Sequence, residues 1–207
     1  MLRFNKNYWD ERYRKGEIKW DIGYVSTPLK EYIDQLHNKE MYILIPGSGN
    51  GYEAGYLYSK GFVNTYVLDW SKNAVKCFKA NYPEFPEENI ICEDFFFHNG
   101  KYDLIIEQTF FCAIEPILRA EYARKTADLL NDHGKLVGLL FNVELNKDRP
   151  PYGGFKSEYL KYFAPYFEIN VFDTAYNSIL PRRGRELFIN LTKKGFTLYK
   201  PDSLQAI

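Results

Sequence analysis

Short apolar segments alternate along this chain with segments whose apolar residues recur every three or four positions. Five apolar segments have the length and composition of buried strands: 42–45 (YILI), 63–69 (VNTYVLD), 90–92 (IIC), 102–107 (YDLIIE) and 135–141 (KLVGLLF). Helical spacing is found from Thr27, over 52–60, after Ser71 and over 118–130, and two more strands are expected near 167–173 and 186–192. Because strands that alternate with helices form a parallel sheet with right-handed crossovers, the pattern predicts an α/β, doubly wound sheet.

Length and charge exclude several classes of protein. The 207 residues fit a single domain, which we divide into an N-terminal lid and helix (1–38), a core (39–193) and a tail (194–207). The 27 basic and 27 acidic side chains balance, so no net field attracts nucleic acid or an anionic membrane. No segment resembles a signal peptide or reaches the roughly 18 apolar residues of a membrane span. We expect a cytoplasmic protein, monomeric or weakly homo-oligomeric, whose partner is a small molecule.

The three cysteines indicate neither disulfides nor a metal site. Cys77, Cys92 and Cys112 are odd in number and far apart, and no CxxC pair or ordered His/Cys spacing is present. We therefore expect no metal, and we interpret the cysteines as packing residues.

A glycine-rich turn follows the first predicted strand. Gly47, Gly49 and Gly51 lie between that strand and the next helix, where a side chain would keep a ligand away from the backbone. Dinucleotide-binding turns favour GxGxxG, whereas Tyr52 makes this pattern GxGxG. The ligand therefore need not contain phosphates.

Acidic residues follow the second and third predicted strands. Asp69 lies 22 residues after Gly47, where a carboxylate can accept hydrogen bonds from both hydroxyls of a ribose. Asp94 and Phe95 follow the third strand, so one can accept from an adenine amino group while the other lies against the ring. Together with the glycine turn, these residues predict an adenosine site without phosphates.

These motifs resemble the class I S-adenosylmethionine-dependent methyltransferases, and in particular the thiopurine S-methyltransferase family with its thiol, thiocyanate and halide branch. The similar segments are YWDERYRKGEIKWDIGYVSTPL, LIPGSGNGYE, VLDWS, CEDFF, YDLIIEQTFFCAIEPILR, PPYGG and ILPRRGRE. TFFCAIEP is most similar to the thiol and halide branch. The resemblance implies a Rossmann-like sheet, mostly parallel with an antiparallel last strand, covered by an N-terminal helical lid.

The resemblance also implies which residues bind S-adenosylmethionine. The aromatic residues would come from the lid, the glycines would approach the methionine part, and the acidic residues with their neighbours would bind ribose and adenine. The implied set is Trp9, Tyr13, Trp20, Gly47, Gly49, Gly51, Asp69, Trp70, Asp94, Phe95 and Gln108. Tyr13 replaces a tryptophan of the plant branch, and Gln108 replaces its tyrosine or the arginine of the thiopurine branch.

The reaction expected from this resemblance is methyl transfer from S-adenosylmethionine to a small thiol, a soft anion such as thiocyanate or a halide, or a thiopurine-like aromatic thiol. This reaction needs no strong acid or base. Alignment of two reactants can supply roughly 7–11 kcal/mol, whereas ionising a thiol of pKa about 8.5 at pH 7 costs only about 2 kcal/mol. We name no catalytic residue and expect none among His37, His98 and His133. Acceptor selection is assigned to Gln108, Phe110, Phe111, Tyr152 and the basic loop with Arg182, Arg183 and Arg185.

The sequence leaves other functions open. A methyltransferase for an oxygen or nitrogen of a larger metabolite would need a base, for which Glu107 is the candidate. A protein that binds the cofactor without turnover would keep Gly47, Asp69 and Asp94. A nicotinamide-dependent dehydrogenase is less consistent with the sequence, because Tyr52 replaces the third glycine of its motif.

Overall fold

A seven-stranded sheet forms the centre of the protein in a computed structural model that describes residues 4–195. Its strands are β1 (Ile43–Pro46), β2 (Thr65–Leu68), β3 (Ile90–Ile91), β4 (Tyr102–Gln108), β5 (Leu130–Phe141), β6 (Phe167–Thr174) and β7 (Glu186–Lys193). They lie in the order β3-β2-β1-β4-β5-β7-β6. The first five strands pair in parallel, and β7 runs antiparallel to both β5 and β6. The predicted α/β, doubly wound sheet, mostly parallel with an antiparallel last strand, is confirmed.

Helices cover both faces of the sheet. They are α1 (Lys6–Lys15), α2 (Thr27–Asp34), α3 (Tyr52–Ser59), α4 (Lys72–Asn81), α5 (Arg119–Leu129) and α6 (Lys156–Phe163). Successive strand residues point to opposite faces, so Ile43 and Ile45 pack in one core with Leu57 of α3, and Leu44 packs in the other with Tyr122 of α5. The two cores fix the sheet and leave the carboxyl ends of its parallel strands free to form a site.

The N-terminal segment 4–22, which we call the lid, contains α1 and packs against α4. Asp10 of α1 accepts hydrogen bonds at Oδ1 from the Ser71 hydroxyl at 2.8 Å and from the Asn73 backbone N–H at 2.9 Å. These bonds, with electrostatic help from Lys6, hold the pKa of Asp10 below its usual range. A carboxylate at this place also complements the N-terminal end of the α4 dipole.

Several boundaries differ from the sequence expectation, and one helix is additional to it. Strand β2 ends at Leu68, one residue early, because the Asp69 carboxylate turns to accept backbone hydrogen bonds from the glycine turn and from Ser71. Strand β5 begins at Leu130, where the helix had been expected to end. Helix α6 was not predicted, since its two buried residues, Tyr159 and Phe163, lie in a segment rich in aromatic residues throughout.

The remaining expectations concern the tail and the membrane. Of the predicted tail, residues 196–207 lie outside the described residues, and the assignment of one domain stays a prediction. Within residues 4–195, no helix has the length and hydrophobicity needed to cross a membrane. The same range contains no cluster of three or more acidic, histidine or cysteine side chains arranged to hold a metal ion.

Candidate active site

A cavity of about 730 Å³ lies across the carboxyl ends of the parallel strands, beneath the lid. Eleven of the predicted site residues line it: Trp9, Tyr13, Trp20, Gly47, Asp69, Trp70, Asp94, Phe95, Phe110, Arg182 and Arg185. A second cavity of about 60 Å³ shares Tyr13, Trp20 and Gly47 with the first, and it is also lined by Gly49, Gly51 and Gln108. The fold thus brings most of the predicted residues, distant in sequence, to one place.

The glycine turn folds tightly against the end of β2. Gly47 and Gly49 have φ angles of 59° and 53°, in the left-handed region that glycine adopts without strain. The Gly49 backbone N–H donates a 3.1 Å hydrogen bond to Oδ2 of Asp69. A Cβ on Gly47 would collide with the Phe110 ring, and one on Gly49 with the Tyr13 hydroxyl. Only glycine therefore permits both the backbone conformation and these close aromatic neighbours.

The Asp69 carboxylate is buried beneath the cavity. Its Oδ1 accepts a 2.9 Å hydrogen bond from the Ser71 backbone N–H, and its Oδ2 accepts the bond from Gly49. Burial raises the pKa of Asp69 to about 6, because the two hydrogen bonds only partly replace its lost hydration. Each oxygen keeps acceptor capacity for a ligand hydroxyl.

Asp94 and Phe95 follow β3, as predicted. Asp94 Oδ1 accepts a 2.9 Å hydrogen bond from the Phe96 N–H, which fixes the turn. The Phe95 ring is buried and lies 5.3 Å from the Tyr122 ring in a stacked arrangement, and edge-on to Phe110 at the same distance. This side of the cavity is therefore held by aromatic packing from α5.

The aromatic residues of the lid pack on each other. The Trp9 and Trp20 rings are 5.5 Å apart, and the Tyr13 and Trp20 rings are 6.1 Å apart, both edge-on. Burial raises the pKa of Tyr13 far above its ordinary value, so its hydroxyl stays neutral. The lid thus presents a continuous aromatic surface to the glycine turn.

Three hydrogen bonds hold the other end of the lid. Asp21 Oδ2 accepts hydrogen bonds from the Asn50 side-chain amide and from the Tyr52 hydroxyl, which connects the lid to the glycine turn. Arg182 donates from Nη2 to the Trp20 carbonyl at 2.8 Å. The lid is therefore fixed to both the first and the last part of the sheet.

Gln108 ends strand β4 beside the glycine turn. Its side-chain oxygen is buried and has no hydrogen-bond partner within residues 4–195. An unpaired buried amide oxygen is unfavourable by about 1–3 kcal/mol. A donor that enters the second cavity would relieve this cost.

Arginines lie at the opposite side of the cavity from Asp69. Arg149, Arg182 and Arg185 line the cavity beside the end of β5 and the start of β7. Arg182 is buried and pairs with Glu186 at 3.3 Å, in addition to its bond to the lid. Arg182 therefore contacts the lid as well as the cavity, which the sequence did not indicate.

Three predicted acceptor residues lie away from the cavity lining. Phe111 is 1% exposed and packs in the core against the rings of Tyr122 and Phe163. Tyr152 is buried, its ring 6.3 Å from that of Phe4, behind the residues that line the cavity. Arg183 is exposed and lines neither cavity. Residues next to them in the chain line the cavity instead: Phe110, Cys112, Pro151 and Arg182.

Glu107 is buried in the interior and does not line either cavity. Its Oε1 accepts from the backbone N–H groups of Phe110 and Phe111 at 2.8 and 2.9 Å, and its Oε2 accepts from the Tyr122 hydroxyl at 2.6 Å. Burial raises the pKa of Glu107 to about 7, and these three hydrogen bonds oppose the shift. Glu107 therefore shapes the turn after β4 from below.

Sequence reasoning missed several cavity residues. They include Phe4, Tyr8, Arg12, Cys112, Phe141, Arg149 and Pro151. Cys112 donates to the Thr109 carbonyl, and burial raises the pKa of its thiol to about 12. Tyr8 and Cys112 lie in segments that resemble the family and Arg149 directly precedes another, but nothing in these segments indicates which side chains point into the cavity.

Comparison with known proteins decides the family. The family model of thiopurine S-methyltransferases matches residues 4–198. The chain belongs to the thiopurine S-methyltransferase family. Membership in this family makes it an S-adenosylmethionine-dependent methyltransferase and excludes the dehydrogenase interpretation.

Relatives of this family member include two plant proteins. The probable thiol methyltransferase 2 of Arabidopsis thaliana is 31% identical over 185 residues, which cover 86% of this chain and 81% of the relative. The thiocyanate methyltransferase 1 of Brassica oleracea is 28% identical over 186 residues, which again cover 86% of this chain and 81% of the relative.

Solved structures share the methyltransferase fold. The 1,6-didemethyltoxoflavin-N1-methyltransferase of Burkholderia thailandensis, with bound S-adenosylhomocysteine, aligns with a TM-score of 0.73 at 14% identity, over 92% of this chain and 87% of the other. The magnesium protoporphyrin IX methyltransferase of Synechocystis, with bound S-adenosylmethionine, aligns with a TM-score of 0.67 at 15% identity. The alignment covers 91% of this chain and 95% of the other. These structures support the fold of the family member.

Proposed function

We propose that this enzyme transfers a methyl group to the sulfur of a thiol, including thiopurine-like aromatic thiols, or to a small soft anion such as thiocyanate or a halide. The carrying observation is the distribution of charge along the cavity, whose lining also includes the paired Arg12 and Glu17, Lys19, Glu93 and Glu115. Asp69 and Asp94 follow β2 and β3, whereas Arg149 and Arg185 lie beside β5 and β7 on the other side of β1 and β4. A cationic cofactor matches the acidic end, and an anionic acceptor matches the basic end.

The residues of the acidic end fit S-adenosylmethionine. The unpaired Gln108 oxygen would accept from the ammonium of the methionine part, and the Asp69 carboxylate would accept from the ribose hydroxyls. Phe95 would lie against the adenine, and the faces of Trp9 and Trp20 would attract the sulfonium by cation–π contact, which contributes about 0.5–2 kcal/mol. We further propose that Trp70 and the glycines at 47, 49 and 51 complete this site.

The bound cofactor supplies a methyl group on a sulfonium. Held by the residues of the acidic end, the cofactor would supply this methyl group to an acceptor sulfur or anion at the basic end and would be left as a neutral thioether. A thiol loses its proton to solvent beforehand, and nearby guanidinium groups favour the thiolate. The protein mainly aligns the reactants and excludes water.

Several candidate catalytic groups are not suited to act on the acceptor. Glu107, the base required by the alternative of oxygen or nitrogen methylation, is buried with both oxygens in hydrogen bonds. The high pKa of Cys112 keeps its thiol protonated. None of the three histidines, all within the described range, lines either cavity. An acceptor that needs no base is therefore favoured.

The names of the plant relatives agree with this acceptor class, since one is a probable thiol methyltransferase and the other a thiocyanate methyltransferase. We also propose that the enzyme works in the cytoplasm as a monomer or weak homo-oligomer without a nucleic-acid partner, in keeping with its balanced charge.

The test is transfer of labelled methyl from S-adenosylmethionine to thiocyanate, iodide, bisulfide, an aromatic thiol and a thiopurine. We expect product with at least one of them, and Asp69→Ala should lose most of the activity because its ribose contact is gone. Tryptophan fluorescence measures cofactor binding independently, since all three tryptophans line the cavity. Bound cofactor without product from any acceptor would contradict the proposal.

A further inference from the structure

The acceptor end of the cavity combines apolar side chains with the arginines. Its apolar residues include Tyr8, Ile114, Phe141, Leu145, Pro150 and Pro151. Apolar surface stabilises a bound organic group by about 25 cal/mol per Å² that is removed from water. A bare halide or thiocyanate has too little apolar surface to use these residues.

Arg149 and Arg185 have no ion pair with any residue in the range 4–195. The Asn142 backbone N–H donates to the Arg185 carbonyl at 2.7 Å, so Arg185 lies next to the end of β5. Arg149 belongs to the loop that follows β5. Arg182 differs from both, because Glu186 and the Trp20 carbonyl already occupy its guanidinium. Two arginines on the cavity are therefore available to a ligand.

The loop with Arg149 is held in place on both sides. The Gly154 N–H donates to the Val143 carbonyl at 3.1 Å, which closes the loop, and the Tyr152 N–H donates to the Cys112 carbonyl at 2.7 Å. The second bond joins the loop to the turn after β4. Arg149 is thus presented on backbone that is fixed relative to the apolar residues.

We propose that the preferred acceptor is an organic thiol that also bears a carboxylate, with its apolar body against the apolar residues and its carboxylate on Arg149 and Arg185. This rests on the proposed function, in which the thiolate sulfur receives the methyl group, and the carboxylate is unchanged by the reaction. Guanidinium groups bind carboxylates by paired, charge-assisted hydrogen bonds. A neutral thiol uses only the apolar residues, and an inorganic anion uses only the arginines.

The experiment compares 4-mercaptobenzoate with 4-mercaptobenzamide, a neutral thiol of nearly equal size, and with thiocyanate. The enzymes are the parent, Arg149→Gln, Arg185→Gln and the double variant, with Arg183→Gln as the matched control outside the cavity. We expect the parent to prefer the carboxylate over the amide in kcat/KM by tenfold or more. Each single variant should lower that ratio about tenfold, as is typical for a lost charged hydrogen bond, and the control should leave it unchanged.

A binding measurement accompanies the kinetics. With S-adenosylhomocysteine bound, tryptophan fluorescence should report tighter binding of 4-(methylthio)benzoate than of the corresponding amide, and the double variant should abolish the difference. The proposal would be overturned if the parent enzyme preferred the amide or thiocyanate, or if the ratio of kcat/KM for the carboxylate over the amide were unchanged in the double variant. Methylation of any of the three acceptors would still preserve the proposed function. If none of the three acceptors were methylated, both this proposal and the proposed function would fail.

Discussion

The Tyr122 hydroxyl of α5 donates a 2.6 Å hydrogen bond to Oε2 of Glu107 on β4, deep in the protein. The same carboxylate accepts two backbone N–H groups of the turn after β4, and the Tyr122 ring packs against Phe95 and Phe110. One buried pair therefore supports aromatic residues at both the cofactor end and the acceptor end of the cavity.

Removal of either partner should destabilise the protein. Glu107→Ala leaves three donors without an acceptor, two of them buried and one partly buried, so we expect the free energy of unfolding to fall by about 3–5 kcal/mol. Tyr122→Phe leaves one carboxylate oxygen short of a donor and should cost about 1–2 kcal/mol. Urea unfolding should show that the double variant loses less than the sum, by about 1 kcal/mol or more. If the two losses of unfolding free energy simply add, Glu107 and Tyr122 are not coupled. The Glu121→Ala variant, at an exposed position, serves as the control.

The raised pKa of Glu107 predicts a pH dependence of stability. Between the ordinary pKa of 4.5 and about 7, the folded protein binds more protons than the unfolded chain, so this group lowers stability as the pH rises. Glu107→Gln removes the effect. The stability of the parent relative to Glu107→Gln should therefore fall from pH 5 to pH 8, by about 2–3 kcal/mol at most. A difference that is constant with pH would show that the carboxyl pKa is ordinary.

Asp69 should make cofactor affinity pH-dependent. The ionised carboxylate is the better acceptor for ribose hydroxyls, and burial raises its pKa to about 6 in the free protein. Affinity for S-adenosylhomocysteine should be constant above pH 7 and should weaken as the pH falls below about 6. Tryptophan fluorescence titrations from pH 5 to 8 measure this, and Asp69→Asn should bind more weakly with a flat profile. A parent profile as flat as that of the variant would exclude this role.

Gln108 should show opposite effects on stability and on binding. Gln108→Leu removes the unpaired buried oxygen, so the free protein should become more stable by about 1 kcal/mol. The same change removes the proposed acceptor for the cofactor ammonium, and affinity should fall about tenfold. Thermal unfolding with and without S-adenosylhomocysteine separates the two effects. Loss of stability without loss of affinity would indicate a purely structural residue.

Arg182 should affect the cofactor more than the acceptor. Arg182→Gln weakens the bond to the Trp20 carbonyl and the pair with Glu186, so the lid should close less tightly. We expect the KM for S-adenosylmethionine to rise severalfold, with a smaller change in the KM for the acceptor. Arg183→Gln is the neighbouring control. A selective rise in the acceptor KM would instead support the direct acceptor role expected from sequence.

Most of the fold could be predicted because its signals are local. The strands are short apolar runs, the helices between them show helical spacing of apolar residues, and α4 also begins at a capping residue, Ser71, whose hydroxyl accepts from the Ala74 N–H. Helix α6 was missed because Tyr159 and Phe163, four residues apart, are hidden among other aromatic residues. Local composition there did not distinguish buried rings from exposed ones.

The cofactor end could be predicted better than the acceptor end for a related reason. Gly47 and Asp69 follow β1 and β2 directly and Asp94 follows β3 within three residues, so strand order alone brings them together. Phe110 and Phe111 are adjacent, yet one lines the cavity and the other lies in the core, because Glu107 binds both of their N–H groups and sets the turn. Which of the two adjacent side chains faces the cavity therefore depends on hydrogen bonds to Glu107, which no local sequence pattern reveals.

The bond between Arg182 and the Trp20 carbonyl joins the lid to the turn before the last strand, across the cavity. In the proposed mode of binding, the used cofactor would lie beneath that connection and could leave only after it opens. Because opening of such segments limits many enzymes, we expect a burst of product in the first turnover, followed by a slower steady state. Acceptors of different reactivity should then share one maximal rate, which is the rate at which the lid releases S-adenosylhomocysteine.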